Sequence, residues 1–120
     1  MEEFQDRHKA LLKKIDNMPR TENETDETNL NKFKESVAML NQIEEQTARI
    51  SGYEQHKEEI KELRMQLAKT KLSLVTLGHS YRPSLSKKSS GFRQDFFEAS
   101  LEAIKLADML NKSLEGLKKT

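Results

Sequence analysis

Residues 92–118 read FRQDFFEASLEAIKLADMLNKSLEGLK, and this stretch decides the fold of the chain. Its apolar side chains follow helical spacing but cover well over half of the circumference of a helix. A helix with so broad an apolar surface must be buried by more than one neighbour. The stretch therefore predicts a helix over 92–118 that is packed inside a bundle of helices.

The segments before it have the periodicity of suitable neighbours. From Phe4 to Met18 the apolar side chains recur at alternating intervals of four and three residues, which predicts a helix over 2–18. Pro19 follows and disfavours the helical conformation in the residue before it. Residues 29–77 carry two further apolar rows that are out of phase with each other.

The two rows meet at Ser51 and Gly52, where two arrangements are open. A break would use Ser51 as a helix N-cap, with Glu54 completing a capping box, and would give four helices. A continuous or kinked helix over 29–77 would instead carry a one-residue skip in its apolar row. Because two residues are a short connection for reversing a helix, the sequence favours the continuous or kinked helix.

Two polar segments predict the connections. Residues 19–28 carry one basic and four acidic side chains without an apolar period, and residues 78–91 are rich in Ser and contain no acid. We interpret Gly78 as the glycine that ends the preceding helix. With only 6% aromatic and 34% charged residues, composition also disfavours a β fold.

The sequence thus predicts a single all-α domain over 1–120, an elongated antiparallel helical bundle or coiled coil of three to four helices. Residues on the recurring apolar rows are expected in its core or at an interface. They are Phe33, Leu40, Ile60, Leu67, Leu74, Phe96, Leu110 and Leu114.

Residue patterns of catalytic or metal chemistry are lacking in the sequence. The chain has no Cys, which excludes a thiolate zinc site, a cysteine nucleophile and a disulfide. No His has an acid three residues before it, as the di-iron helical bundles require, and no phosphate-binding glycine loop is present. We therefore expect no enzyme, no cofactor, no small-molecule substrate and no metal site. His8 lies on the apolar row of the first helix and is interpreted as a partly buried structural histidine.

A partner surface is expected because the first helix is short. At 1.5 Å per residue it spans about 27 Å, whereas a central helix over 29–77 would span about 73 Å. Part of the last helix, or the matching stretch of the central one, would stay available to a second chain. The predicted partner-binding residues are Phe97, Leu101, Ile104, Leu106, Ile60, Leu63 and Leu67. In the alternative, a turn at Gly52 lets four helices close over these side chains.

The Ser-rich connection carries a local positive charge in a chain whose net charge is +1. Between Gly78 and Gln94 the charged residues are Arg82, Lys87, Lys88 and Arg93. These cations could contact an anion such as a phosphate, and the flanking Tyr81 and Phe92 could stack on a base. The alternative interpretation is a solvated connection between helices.

The layout of an acidic first helix, a long Lys- and Glu-rich helical region and a Ser-rich turn resembles the N-terminal helical domains of endomembrane SNAREs. It is also similar to small subunits of tethering or kinetochore assemblies. The resemblance covers the layout of the whole chain and rests on no specific motif, so it implies no functional residues. It implies a role in membrane traffic or complex assembly.

The leading interpretation is a non-enzymatic protein that binds partner helices, or a second copy of itself, within a larger complex. A domain of a SNARE or tethering subunit is the alternative, and weak nucleic-acid binding through residues 78–93 is a further one. The acidic start has no signal-peptide pattern, and the longest apolar stretch is far shorter than the roughly 20 residues of a membrane span. We therefore expect a cytoplasmic protein.

Overall fold

The structure, a computed structural model, describes residues 2–19, 23–82 and 91–117. These residues form four α-helices and no strand. In chain order the helices are α1 Glu2–Asp16, α2 Glu24–Ala48, α3 Lys57–Ser80 and α4 Gly91–Leu117. They pack into a bundle of 51 × 24 × 23 Å, which confirms the predicted elongated all-α fold.

The helix α4 runs antiparallel to both α1 and α3. This course follows from side-chain pairs that join opposite ends of neighbouring helices: Arg7 with Met109, Lys14 with Glu98, Lys71 with Asp108, and Arg93 with the carbonyl of Ser80. The helix α4 packs against each of the other three. Its broad apolar surface is therefore covered from several sides, as the sequence predicts.

The core consists of the apolar rows read from the sequence. All eight predicted core residues are at most 3% exposed. The rings of Phe33 and Phe96 lie with their centroids 5.0 Å apart, which joins α2 to α4. The prediction for His8 is also confirmed, since its side chain is buried and its Nε2 donates to the carbonyl of Val37 at 3.0 Å.

The central region is broken, so the continuous or kinked helix favoured by the sequence is wrong. The helix α2 ends at Ala48 and α3 begins at Lys57. Gly52 lies between them with φ of +133°, a backbone conformation that favours glycine. The connection covers residues 49–56 rather than two residues, and this length is what allows the chain to reverse. The N-cap position of α3 is His56, so the capping box at Ser51 is also wrong.

The first predicted connection is shorter than 19–28, because α2 already begins at Glu24. The side chain of Asn23 caps it by accepting hydrogen bonds from the backbone N–H groups of Thr25 and Asp26 at 2.9 and 3.2 Å. Acidic side chains in the first turn of α2 interact favourably with the positive end of the helix dipole. Glu24, Asp26 and Glu27, which the sequence assigned to a solvated connection, therefore stabilise the start of α2.

Gly78 does not end its helix, which contradicts the predicted boundary, since α3 continues to Ser80 and its C-cap is Tyr81. A Cβ atom on Gly78 would lie 2.8 Å from the Cβ of Ser100 on α4. The glycine is therefore needed for the close approach of α3 and α4. Residues 83–90 of the predicted connection lie outside the described residues.

Candidate functional site

An apolar groove runs along the outer side of the contact between α3 and α4, and we call it the α3/α4 groove. It is open to solvent and has a volume of about 310 Å³. Its lining residues are Val75, Gly78, His79, Arg82, Phe97, Ser100, Leu101 and Ile104. Val75 remains 43% exposed and Leu101 remains 45% exposed, although both are large apolar side chains.

The shape of the groove follows from small residues at its floor. At Gly78 and Ser100 the two helices come so close that no larger side chain fits between them. The Ser100 hydroxyl donates to the carbonyl of Phe97 at 2.6 Å, so the floor presents no unsatisfied hydroxyl. Phe97 and Ile104 are half-buried against the core and form the α4 wall. The result is a hollow with apolar walls that no other described side chain fills.

Charged side chains mark both ends of the groove. At one end Lys71 and Asp108 form an ion pair of 2.6 Å that bridges α3 and α4. At the other end lies the exposed Arg82, just beyond the C-terminus of α3. The lining residues of α4 run from Phe97 to Ile104, and the helical rise over them gives a length of about 10 Å, or about two helical turns.

The structure divides the predicted partner-binding residues into two groups. Three of them line the groove together: Phe97, Leu101 and Ile104. The other four are buried inside the bundle: Leu106, Ile60, Leu63 and Leu67. The expectation that these four stay available is wrong, because the reversal at residues 49–56 folds α3 back and lets four helices close around them. This closure is the alternative that the sequence left open at Gly52.

Val75 lines the groove but is not among the residues predicted from the sequence to bind a partner. Its signal was a second apolar row on α3, formed by Met65, Ala68, Leu72 and Val75 at intervals of three and four residues. All four are exposed. The sequence does not show which of two apolar rows on α3 will be buried, and the row through Leu67 and Leu74 on the other side of the helix is the one that enters the core.

The structure describes two of the four predicted anion-contact residues, Arg82 and Arg93. Arg82 is exposed, whereas Arg93 donates to the carbonyl of Ser80 at 3.2 Å and lies 5.3 Å from the centroid of the Tyr81 ring. Lys87 and Lys88 lie outside the described residues. The anion contact therefore stays a prediction, although Arg93 already has a structural role in joining α4 to the end of α3.

Tyr81 is buried, so it does not offer its ring to a nucleic-acid base as the sequence suggested. It stacks on Phe96 at 4.2 Å between centroids and meets the edge of Phe92 at 6.0 Å. Its hydroxyl donates to Asp26 at 2.5 Å and accepts from Asn29 at 3.1 Å. Burial, followed by the hydrogen bond to Asp26, raises the pKa of Tyr81 above its ordinary value. Tyr81 therefore holds α2, α3 and α4 together at this end of the bundle.

A second cavity, of about 540 Å³, lies at the first half of α3, and we call it the Tyr53 cavity. Its lining residues are Tyr53, Lys57, Glu58, Ile60, Lys61, Arg64, Met65 and Ala68. The Lys57 ammonium lies 5.7 Å from the centroid of the Tyr53 ring and pairs with Glu54 at 2.9 Å. The hydrogen bond that Lys57 donates to Glu54 raises the pKa of Lys57. The cavity combines apolar walls with an excess of positive charge.

Buried polar groups of the described residues have structural partners. The carboxylate of Glu44, which is buried, accepts a hydrogen bond from Gln5 at 2.7 Å. No buried side-chain nitrogen or oxygen in the described part of the chain lacks a hydrogen-bond partner. Within residues 2–19, 23–82 and 91–117, no group of three or more acidic or histidine side chains could hold a metal ion.

Neither the helices nor the comparisons with known proteins assign a functional class. Among the described helices, none is both long and apolar enough to cross a membrane. No protein-family model, curated protein or solved structure matches this chain. The α3/α4 groove is therefore the feature from which a function is inferred.

Proposed function

We propose that this chain is a non-enzymatic interaction protein that binds an amphipathic helix of a partner protein in the α3/α4 groove. The observation that supports the proposal is the exposure of Val75 and Leu101 on the two sides of one hollow. Large apolar side chains that cluster at the surface mark sites of interaction, whereas scattered ones are ordinary. The sequence-based alternatives, a membrane-traffic domain and nucleic-acid binding, stay predictions.

The dimensions of the groove fit a short helix. Its length of about 10 Å corresponds to about two turns of a partner helix. Recognition of this kind uses apolar side chains at intervals of three and four residues, which enter a groove from one face of the helix. The small floor at Gly78 and Ser100 leaves room for such a side chain between Val75 and Leu101.

The test compares two surface leucines of similar exposure. Leu101 is 45% exposed inside the groove, and Leu12 is 42% exposed on α1 and does not line it. We expect Leu101→Glu to abolish co-purification of the partner from the source cells, and Leu12→Glu to preserve it. Both variants should keep the circular dichroism spectrum of a helical protein, because neither side chain belongs to the buried core.

Three results decide the outcome. Retention of the partner by Leu101→Glu would contradict the proposal, and so would equal loss of the partner by Leu12→Glu. Unfolding by Leu101→Glu would show that Leu101 is ordinary core. Sedimentation of the purified wild-type protein shows whether the partner is a second copy of this chain. In that case the wild type is a dimer, Leu101→Glu dissociates the dimer, and Leu12→Glu does not.

A further inference from the structure

The helix α3 separates its charges between two sides. At 100° per residue, a row at alternating intervals of four and three residues runs along the side of α3 that borders both cavities. We call this row the basic strip. On α3 it consists of Lys57, Lys61, Arg64, Ala68, Lys71 and Val75, and the exposed Arg82 follows just beyond the end of the helix. The acidic side chains Glu59 and Glu62 of α3 lie on other sides of the helix, and Glu58 lies at the edge of the Tyr53 cavity.

Not every cation of the strip is neutralised. Lys57 pairs with Glu54, and Lys71 pairs with Asp108. Among the described residues, Lys61, Arg64 and Arg82 form no ion pair with an acidic side chain. The strip therefore carries an excess of positive charge next to the apolar walls of the Tyr53 cavity and the α3/α4 groove.

We propose that the partner segment is an acidic amphipathic helix that lies along the basic strip and inserts apolar side chains into both hollows. This inference rests on the proposed function and names the chemistry of its partner. From Lys57 to Val75 the strip is about 27 Å long, which matches about five turns of a helix, and Arg82 lies beyond that end. Such a helix passes over the Lys71–Asp108 pair between the two hollows and places Asp or Glu side chains against Lys61, Arg64 and Arg82.

The shape and polarity of the strip favour a protein helix over other anions. A phosphate backbone offers no apolar groups for Val75, Leu101 and Met65. A flat lipid surface does not enter the α3/α4 groove, which lies between two helices. Exposed ion pairs contribute little affinity, but they select partners of complementary charge and accelerate their association. We therefore assign most of the binding affinity to the apolar hollows and the selection of an acidic helix to the basic strip.

The experiment selects helices from a displayed peptide library with the full chain as the target. Leu is fixed at alternating intervals of four and three positions, and the flanking positions are randomised among Glu, Gln and Lys. We expect Glu to be enriched at the flanks, and binding of the selected peptides to weaken as salt is raised. Enrichment of Gln or Lys would overturn the acidic partner while leaving the groove as a binding site. Failure to enrich any peptide on the wild-type protein over Leu101→Glu would instead overturn the proposed function.

Matched variants then test the strip directly. With a selected acidic peptide, we expect Lys61→Glu/Arg64→Glu to raise the dissociation constant about tenfold. The control Lys34→Glu/Lys69→Glu makes the same charge change outside the strip and should leave binding unchanged. Equal effects of the two double variants would overturn the inference. Tighter binding of phosphatidylserine vesicles or duplex RNA than of the peptide, lost in Lys61→Glu/Arg64→Glu, would also overturn it.

Discussion

Leu101 and Leu106 lie on the same helix, yet they end on opposite sides of the contact between α3 and α4. Leu106 is fully buried in the core, whereas Leu101 is 45% exposed in the groove. Both belong to the apolar surface of α4, and the sequence predicts the same partner-binding role for both. The difference teaches that apolar spacing shows which side chains a helix can bury. It does not show on which sides neighbouring helices will lie.

The position of α1 explains why Leu101 is left exposed. The helix α1 runs along one side of α4, where Lys14 pairs with Glu98 at 2.8 Å, and α3 covers another side. Leu101 lies in the sector between them. It lines a cavity of about 410 Å³ between α1 and α4 as well as the α3/α4 groove. This sector of α4 is the part of its apolar surface that the bundle does not cover.

The largest expected effect tests the buried side of this comparison. Leu67→Ala or Leu110→Ala should lower the free energy of unfolding by about 2–5 kcal/mol, because each removes a fully packed side chain and leaves a cavity. Leu101→Ala should lower it by less than about 1 kcal/mol, since its side chain is already half in water. Urea unfolding followed by circular dichroism measures all three. Equal losses for Leu110→Ala and Leu101→Ala would remove the distinction between the two sides.

A smaller effect is expected where the two sides meet, at Gly78. Gly78→Ala places a methyl group against Ser100 and should cost about 1–3 kcal/mol of unfolding free energy through overpacking. Gly116→Ala is the control, because Gly116 is also helical but a Cβ there meets nothing within 4 Å. It should stabilise the chain by about 0.5–1 kcal/mol, since Ala is the better helix former.

The second variant Gly78→Ala/Ser100→Gly checks the cause of that loss in the same unfolding experiment. It removes the Ser100 side chain from α4 and so makes room for the methyl group added at position 78 on α3. The double variant should therefore recover part of the stability lost in Gly78→Ala. If Gly78→Ala is as stabilising as Gly116→Ala, the helices are not in close contact at this point. The floor of the α3/α4 groove would then be deeper than the structure shows.

Much of the fold could be predicted from the sequence, because helical periodicity reports burial directly. The core positions and the buried His8 follow from single apolar rows, as does the need of α4 for several neighbours. The reversal at Gly52 could not be predicted in this way, since a break and a one-residue skip leave the same apolar rows. The acidic residues after Asn23 are typical of a helix start and could have indicated the N-cap, but they are equally typical of a solvated loop.

The groove could be predicted only in part, for the same physical reason. Phe97, Leu101 and Ile104 were found because they belong to the apolar surface of α4. The role of Gly78 was missed because a glycine near a helix end serves equally as a terminator or as a point of close approach. Only the position of Ser100 on the neighbouring helix distinguishes the two, and that position depends on the packing of the whole bundle.

The smallest expected change in unfolding free energy is at Tyr81, which lies at the end of the buried contact between α3 and α4. Tyr81→Phe removes the hydrogen bonds to Asp26 and Asn29 and should lower the free energy of unfolding by about 0.5–1.5 kcal/mol at neutral pH. The stacking on Phe96 is retained by the Phe ring, so the fold should be kept. Chemical unfolding at a series of pH values measures both the loss and its pH dependence.

The pH dependence has a definite sign. Burial, followed by the hydrogen bond to Asp26, raises the pKa of Tyr81 in the folded state above its ordinary value of 10.0, so the folded state favours the protonated phenol. Its contribution is therefore complete below about pH 10 and is lost as the pH rises through the higher folded pKa. The raised pKa of Lys57 acts in a similar range, but it is common to both proteins and cancels in their difference. We expect the stability gap between wild type and Tyr81→Phe to narrow above about pH 10. A gap that stays constant would mean that the hydroxyl of Tyr81 is open to water rather than buried between α2 and α4.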